Sequence, residues 1–207
     1  MKKILRFVIS GLFLLLFWPF FLYKRYGDTT YKLTKRTIII SNHYSNFDPF
    51  FIYLMYGINK KIHFVTIVET KKKLWSRFIT WLFDCLYIDS TTTNIAFFRE
   101  CIRILKDDGI ICIFPEGFVN HRKYGFLDFQ SSYVFFAKKT QAKILPLYIY
   151  PQTSFFKKTL IYIGTPIEAK DYSHIHDYDE ASMHIQARVM DYSAIIDQVL
   201  EDEKATH

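Results

Sequence analysis

The chain has 207 residues, half of them hydrophobic and 19% aromatic, with only 7 Gly and 6 Pro. That length allows one ordinary domain with little room for a second, and the composition excludes a disordered or low-complexity chain. The formal net charge of +7 suits nucleic acid, an anionic membrane or an acidic small molecule, but the basic residues are scattered and no nucleic-acid module is recognisable.

The opening stretch, MKKILRFVISGLFLLLFWPFFLYKRYGD, carries an uncharged run from Phe7 to Tyr23 between Lys2, Lys3 and Arg6 on one side and Lys24 and Arg25 on the other. At ~1.5 Å per residue the run reaches ~25 Å, slightly short of a ~30 Å hydrocarbon core. It therefore either crosses thinly or lies in one leaflet, with Pro19 kinking or ending the helix and the flanking cations snorkelling to the interface. No small-residue cleavage site follows, which argues against a secretory signal, and the absence of a polar stripe argues against a buried core helix. Residues 1–27 are read as a membrane anchor and 28–207 as the folded domain, attached to the membrane at its cytoplasmic face.

Beyond the anchor, strands and helices alternate. KRTIIISN reads as a strand buried on both faces. DPFFIYLMYG reads as a short helix with Asp48 as N-cap, Pro49 as its first residue and Gly57 at its end. KIHFVTIVE is a second strand. TKKKLWSRFITWLF is helical, with Leu74, Phe78, Trp81 and Leu82 at helical spacing. It opens on Lys71, Lys72 and Lys73 and reads equally as a core helix or a membrane-docking helix. CLYID is a third strand. NIAFFRECIRILKDDG is an amphipathic helix with Ile95, Phe98, Ile102 and Leu105 on one face, stopped by Gly109. IICIF is a fourth strand and runs into PEG. QSSYVFFAKKTQ is a helix, KILPLYIY and TLIYIG are strands, and EASMHIQARVMDYSAIIDQVLEDE is a C-terminal amphipathic helix. The alternation predicts an α/β fold with a central, mostly parallel sheet flanked by helices. Cys85, Cys101 and Cys112 lie in apolar runs without CxxC spacing and read as buried, reduced thiols; neither they nor His174, His176 and His184 match a metal-ligand pattern.

In parallel sheets, sites gather where strands end. Two polar clusters do so here: SNHYSNFD after TIII, and PEG after IICIF. In a continuous helix, residues five apart are ~140° apart, so His43 and Asp48 meet only if His43 lies in the turn before the helix. There a carboxylate on one ring nitrogen fixes the tautomer and supports the imidazolium formed when the other nitrogen takes a proton. The decapeptide SNHYSNFDPF taken alone favours the plainer reading, a helix opening on Asp-Pro beside a histidine bonded to backbone.

The combination goes further. NHYSNFD, LYID, FPEG and ILPLYI occur in that order, and from about Lys35 to Gly164 the chain resembles the glycerol-phosphate and lysophospholipid acyltransferase family. The resemblance implies that His43 is a general base steered by Asp48. It implies a fatty acyl group passing from an acyl thioester to a hydroxyl of a lysophospholipid such as 1-acyl-glycerol-3-phosphate, in phospholipid synthesis. The implied substrate-binding residues are Asn42, Tyr87, Ser90, Pro115, Glu116, Gly117, Arg122 and Lys123, with Glu116 bonding a glycerol hydroxyl. No metal or cofactor is implied; acyl-CoA or an acyl-carrier-protein thioester is the co-substrate, and the partners are that donor and membrane lipids. The chain departs from the family where arginines grip phosphate: YIDS places Ser90 where FIDR has a cation, Asp84 stands where the motif has glycine, and EGFVNHRK replaces EGTRS, leaving Arg122 and Lys123 as substitutes. An acceptor with another head group, a catalytically inactive lipid-binding protein and a His–Asp hydrolase are the alternatives.

Overall fold

A computed structural model of the protein describes residues 9, 11–12, 22–57, 60–68, 74–83, 85–89, 94–120, 125–151 and 158–205, the side chains of residues 75 and 76 excepted. A seven-stranded sheet is built from β1 (Tyr23–Gly27), β2 (Thr37–Ser41), β3 (Ile62–Ile67), β4 (Leu86–Ile88), β5 (Ile110–Ile113), β6 (Lys143–Ile149) and β7 (Thr159–Ile163), in the spatial order β1-β7-β6-β2-β5-β3-β4. All neighbours run parallel except β6 and β7, which are antiparallel. The helices are α1 (Asp48–Ile52), α2 (Leu74–Leu82), α3 (Ile95–Lys106), α4 (Ser132–Thr140), α5 (Ala169–Tyr172) and α6 (Tyr178–Ala205), with a π-helical turn over Tyr53–Gly57.

The continuous apolar runs of the central strands follow from burial of both sheet faces. On β2, Ile38 and Ile40 enter one core cluster with Ile111, Ile113, Leu105, Val134 and Val189, drawn from β5, α3, α4 and α6. Between them Ile39 points to the opposite cluster, with Phe50, Phe64, Phe83, Cys112 and Leu145. Alternate side chains of one strand thus serve two cores.

Several local readings shift. Tyr23–Gly27, assigned from sequence to the membrane anchor, forms the edge strand β1 paired with β7. The N-cap of α1 is Phe47 rather than Asp48, which is the first helical residue, so its carboxylate is free to reach back over the preceding turn. On α3 the buried side chains are Phe97, Cys101, Ile104 and Leu105, while Ile95 is exposed and Phe98 and Ile102 pack at the margin. The apolar arc of that helix is wide, and the sheet takes its centre rather than the stripe read first. The helix does end before Gly109, with Asp108 in the left-handed region (φ 60°) and the Gly109 N–H reaching Ile104 O at 2.8 Å. A Cβ at Gly109 would lie 2.6 Å from that same carbonyl oxygen. On α2, Leu82 is buried and Ile79 faces inward, whereas Leu74 (81% exposed) and Trp81 face out. Cys101 and Cys112 are buried free thiols; Cys85 is only half-buried. Lys71, Lys72 and Lys73 lie outside the described residues. So does the expected anchor helix, apart from residues 9, 11, 12 and 22 and the β1 residues; among the described residues no helix is long and apolar enough to cross a membrane.

Candidate active site

β2 ends at Ser41 and the chain turns through residues 42–47 into α1, placing His43 at the carboxyl edge of the sheet. His43 Nδ1 lies 3.0 Å from Asp48 Oδ2. The same oxygen accepts from the backbone N–H groups of Tyr44 (2.7 Å) and Ser45 (2.8 Å). Those two groups can only donate, so they hold Oδ2 as an acceptor, and Nδ1 must carry the proton of the pair. The Nε2 lone pair is bonded by no described residue. Asp48 is 1% exposed. Burial pushes its carboxyl above the ordinary value, with the His43 hydrogen bond and the two backbone donors pulling it back. The His43 ring is stacked on Phe114 at 4.2 Å and 22°, which fixes its plane.

The PEG turn is tied to this histidine. Glu116 Oε1 accepts the His43 backbone N–H at 3.0 Å, and Oε2 accepts Asn120 Nδ2 at 2.9 Å and the Leu127 N–H at 3.0 Å. Asn120 N–H donates to His43 O at 2.6 Å. Glu116 is buried, and its carboxyl is pushed up by desolvation against those donors. Both Glu116 oxygens hold protein donors, so the carboxylate ties the PEG turn to His43 and to the chain at Leu127 while it also lines the smaller of two adjoining cavities. Gly117 adopts φ 77°, a left-handed turn that favours glycine; a Cβ there would sit 2.8 Å from the mobile end of Gln130, which can shift aside. Asn42 is likewise committed: its amide pairs with both backbone groups of Ile149, at 2.9 and 2.8 Å, clamping the turn onto β6.

Two cavities adjoin His43, and among the described residues it is the one that lines both. The larger, about 610 Å³, runs beneath α2 across β3 and β4 and is walled by Phe64, Ile67, Ile79, Phe83, Cys85, Ile88, Phe97 and Ile113, with Pro115 and Gly117 near the histidine. The smaller, about 160 Å³, lies towards β6 and α6. Tyr87, expected among the substrate contacts, lines neither; its hydroxyl donates to Thr80 Oγ1 at 2.6 Å and ties β4 to α2. Ser90, Arg122 and Lys123 lie outside the described residues. Asn120 and the α6 residues Ser193 and Asp197 were not anticipated. Asn120 follows PEG closely enough for its side chain to have been suspected, whereas nothing in the spacing links α6 to the motifs.

The Acyltransferase family profile matches residues 24–150, most of the chain and all of these motifs. The probable 1-acyl-sn-glycerol-3-phosphate acyltransferase of Mycoplasma pneumoniae (strain ATCC 29342 / M129 / Subtype 1) is 28% identical over 120 residues, 56% of this chain and 44% of that protein, so the match spans less than half of the relative's length. The crystal structure of the 1-acyl-sn-glycerophosphate (LPA) acyltransferase PlsC from Thermotoga maritima superposes with a TM-score of 0.64 at 21% identity, covering 93% of this chain and 81% of that one, which shows a shared fold. With the profile covering more than half of its residues and the fold in agreement, the chain belongs to the Acyltransferase family.

Proposed function

We propose that this protein is an O-acyltransferase that moves a fatty acyl group from a thioester, acyl-CoA or acyl carrier protein, to a hydroxyl of a lysophospholipid of the 1-acyl-glycerol-3-phosphate type. The observation that carries the reading is the His43–Asp48 pair, 3.0 Å apart, standing where a large cavity meets a small one. The large cavity takes the donor's acyl chain. His43 Nε2 removes the proton of the acceptor hydroxyl as that oxygen attacks the thioester carbonyl, and the imidazolium is supported through Nδ1–H by Asp48. Collapse of the tetrahedral intermediate breaks the carbon–sulfur bond and forms the ester, and the proton on His43 passes to the departing thiolate. No covalent acyl-enzyme is needed.

Attachment to the membrane is part of the same proposal. The uncharged run Phe7–Tyr23 supports it, and so does the sheet's carboxyl edge. Phe47, Leu74, Ile95 and Phe118 are all exposed and follow the ends of β2, β3, β4 and β5, which run parallel and so finish on one side. A protein that stays in the supernatant when anionic vesicles are sedimented does not bind lipid surfaces in this way.

The purified protein, given acyl-CoA or acyl carrier protein thioester and a panel of lysolipids, is expected to consume donor only when acceptor is present. His43→Ala is expected to lower that rate by ~10²–10⁴-fold while lipid binding survives. Equal rates in wild type and variant would point to an inactive lipid-binding protein, and free fatty acid released without acceptor would point to a hydrolase.

A further inference from the structure

Residues 125–130 form neither helix nor strand, yet they are tied on two sides. Towards the PEG turn, the Leu127 N–H donates to Glu116 Oε2 at 3.0 Å and the Gln130 N–H to Pro115 O at 2.9 Å. Towards α6, the same segment is gripped by two side chains four residues apart, hence on one face of that helix. Gln186 Oε1 accepts the Phe129 N–H at 3.1 Å, and Gln186 Nε2 donates to Leu127 O at 3.1 Å. A backbone N–H can only donate and a carbonyl can only accept, so these partners fix which way round the amide sits. Ser182 Oγ donates to Phe129 O at 3.2 Å; with its proton so committed, it accepts from Tyr133 Oη of α4 at 3.0 Å. Ser182 and Phe129 are buried, so moving the segment off α6 leaves polar groups unpaired away from water. Neither Gln186 nor Ser182 lines either cavity.

We infer that Gln186 and Ser182 of α6 are positioning residues for His43, acting through the 127–130 segment and Glu116. The inference rests on the acyltransferase reading for what the histidine then does. The relay is short. Gln186 and Ser182 fix Leu127 and Phe129, the Leu127 N–H holds Glu116 Oε2, and Glu116 Oε1 holds the His43 N–H at 3.0 Å. Asp48 and Phe114 orient the ring, whereas this relay sets the backbone from which the ring reaches out. A general base misplaced by ~1 Å loses up to ~10²-fold in rate, so a remote tie of this kind acts on turnover without touching substrate.

The test uses the full chain in detergent micelles and the variant Gln186→Met, which keeps the length of the side chain and removes both of its hydrogen bonds. Amide hydrogen exchange is followed by NMR with isotope-labelled histidine nitrogen, the His43 signal being identified by its loss in His43→Gln. The His43 amide is expected to exchange roughly ten-fold faster in Gln186→Met than in wild type, while the His63 amide on β3 keeps its rate. In the thioester assay kcat is expected to fall about ten-fold with the donor KM changed by less than about two-fold. An unchanged His43 amide, an equal acceleration at His63, or an unchanged kcat overturns the inference. Ser182→Ala, which frees Phe129 O alone, is expected to give the same changes at smaller size, and it carries the test if a thermal melt shows Gln186→Met unfolded. Failure of the wild type to consume thioester with any acceptor overturns the catalytic reading instead, and the exchange series still decides whether α6 holds His43.

Discussion

Asp48 Oδ2 accepts from three donors at once: His43 Nδ1, Tyr44 N–H and Ser45 N–H. The amide of Asp48→Asn presents one oxygen and one nitrogen, and whichever faces the turn, it cannot act as the anion that supports an imidazolium. The expected outcome is a ~10²–10⁴-fold loss in kcat for thioester consumption with little change in KM, measured at saturating acceptor. Glu116 works one step back, gripping the backbone of His43 and the chain at Leu127. Burial raises both carboxyls above their ordinary values. Their folded-state pKa values therefore exceed the unfolded ones, and the native state binds more protons than the unfolded chain across the interval from the ordinary carboxylate value of ~4 to the raised value. Unfolding free energy contributed by these groups falls as pH rises through that interval. In Glu116→Gln, which does not titrate, the fall measured by urea denaturation at a series of pH values is expected to be shallower than in wild type.

At the level of single elements, the strands with continuous apolar runs and the motifs at their ends were legible in the sequence because burial on both faces leaves no polar residue to confuse the pattern. β1 was not. Its five residues, Tyr-Lys-Arg-Tyr-Gly, carry two adjacent cations, as suits an exposed sheet edge, and its first residue completes the apolar run of the preceding segment. The inward face of α3 was missed by one stripe because Cys101 and Phe97 are as well spaced as Phe98 and Ile102, and only the sheet beneath decides between them. The contact between His43 and Asp48 was legible from their spacing, whereas Tyr148, Ser193 and Asp197 reach the cavity beside His43 only through the folding of α6 onto β6. Gly27 closes β1 with φ 74°, and a Cβ there would meet Ile163 O at 2.2 Å. Gly27→Ala is expected to prise β1 from β7 and to lower stability by about 2 kcal/mol in chemical denaturation, with faster amide exchange along β1 and β7.

Across the whole molecule, the large cavity extends from His43 beside β2 to Ile88 on β4. Those strands are three positions apart in the sheet, about 14 Å at the usual strand spacing. A bulky side chain at the far end shortens the space without touching the imidazole. Ile88→Trp is therefore expected to shift the ratio of kcat/KM towards shorter-chain thioesters, measured across a donor series from eight to eighteen carbons as an approximate range. The sheet's order has one more consequence. Among the described strands β1 pairs with β7 alone, which is separated from it by most of the chain. During synthesis at ~5–20 residues per second, the ribosome emits β1 roughly 7–27 s before its partner. Through that interval the nascent chain exposes a bare, cationic edge directly after its most apolar stretch, so a nearby bilayer meets the newborn polypeptide long before the sheet is whole.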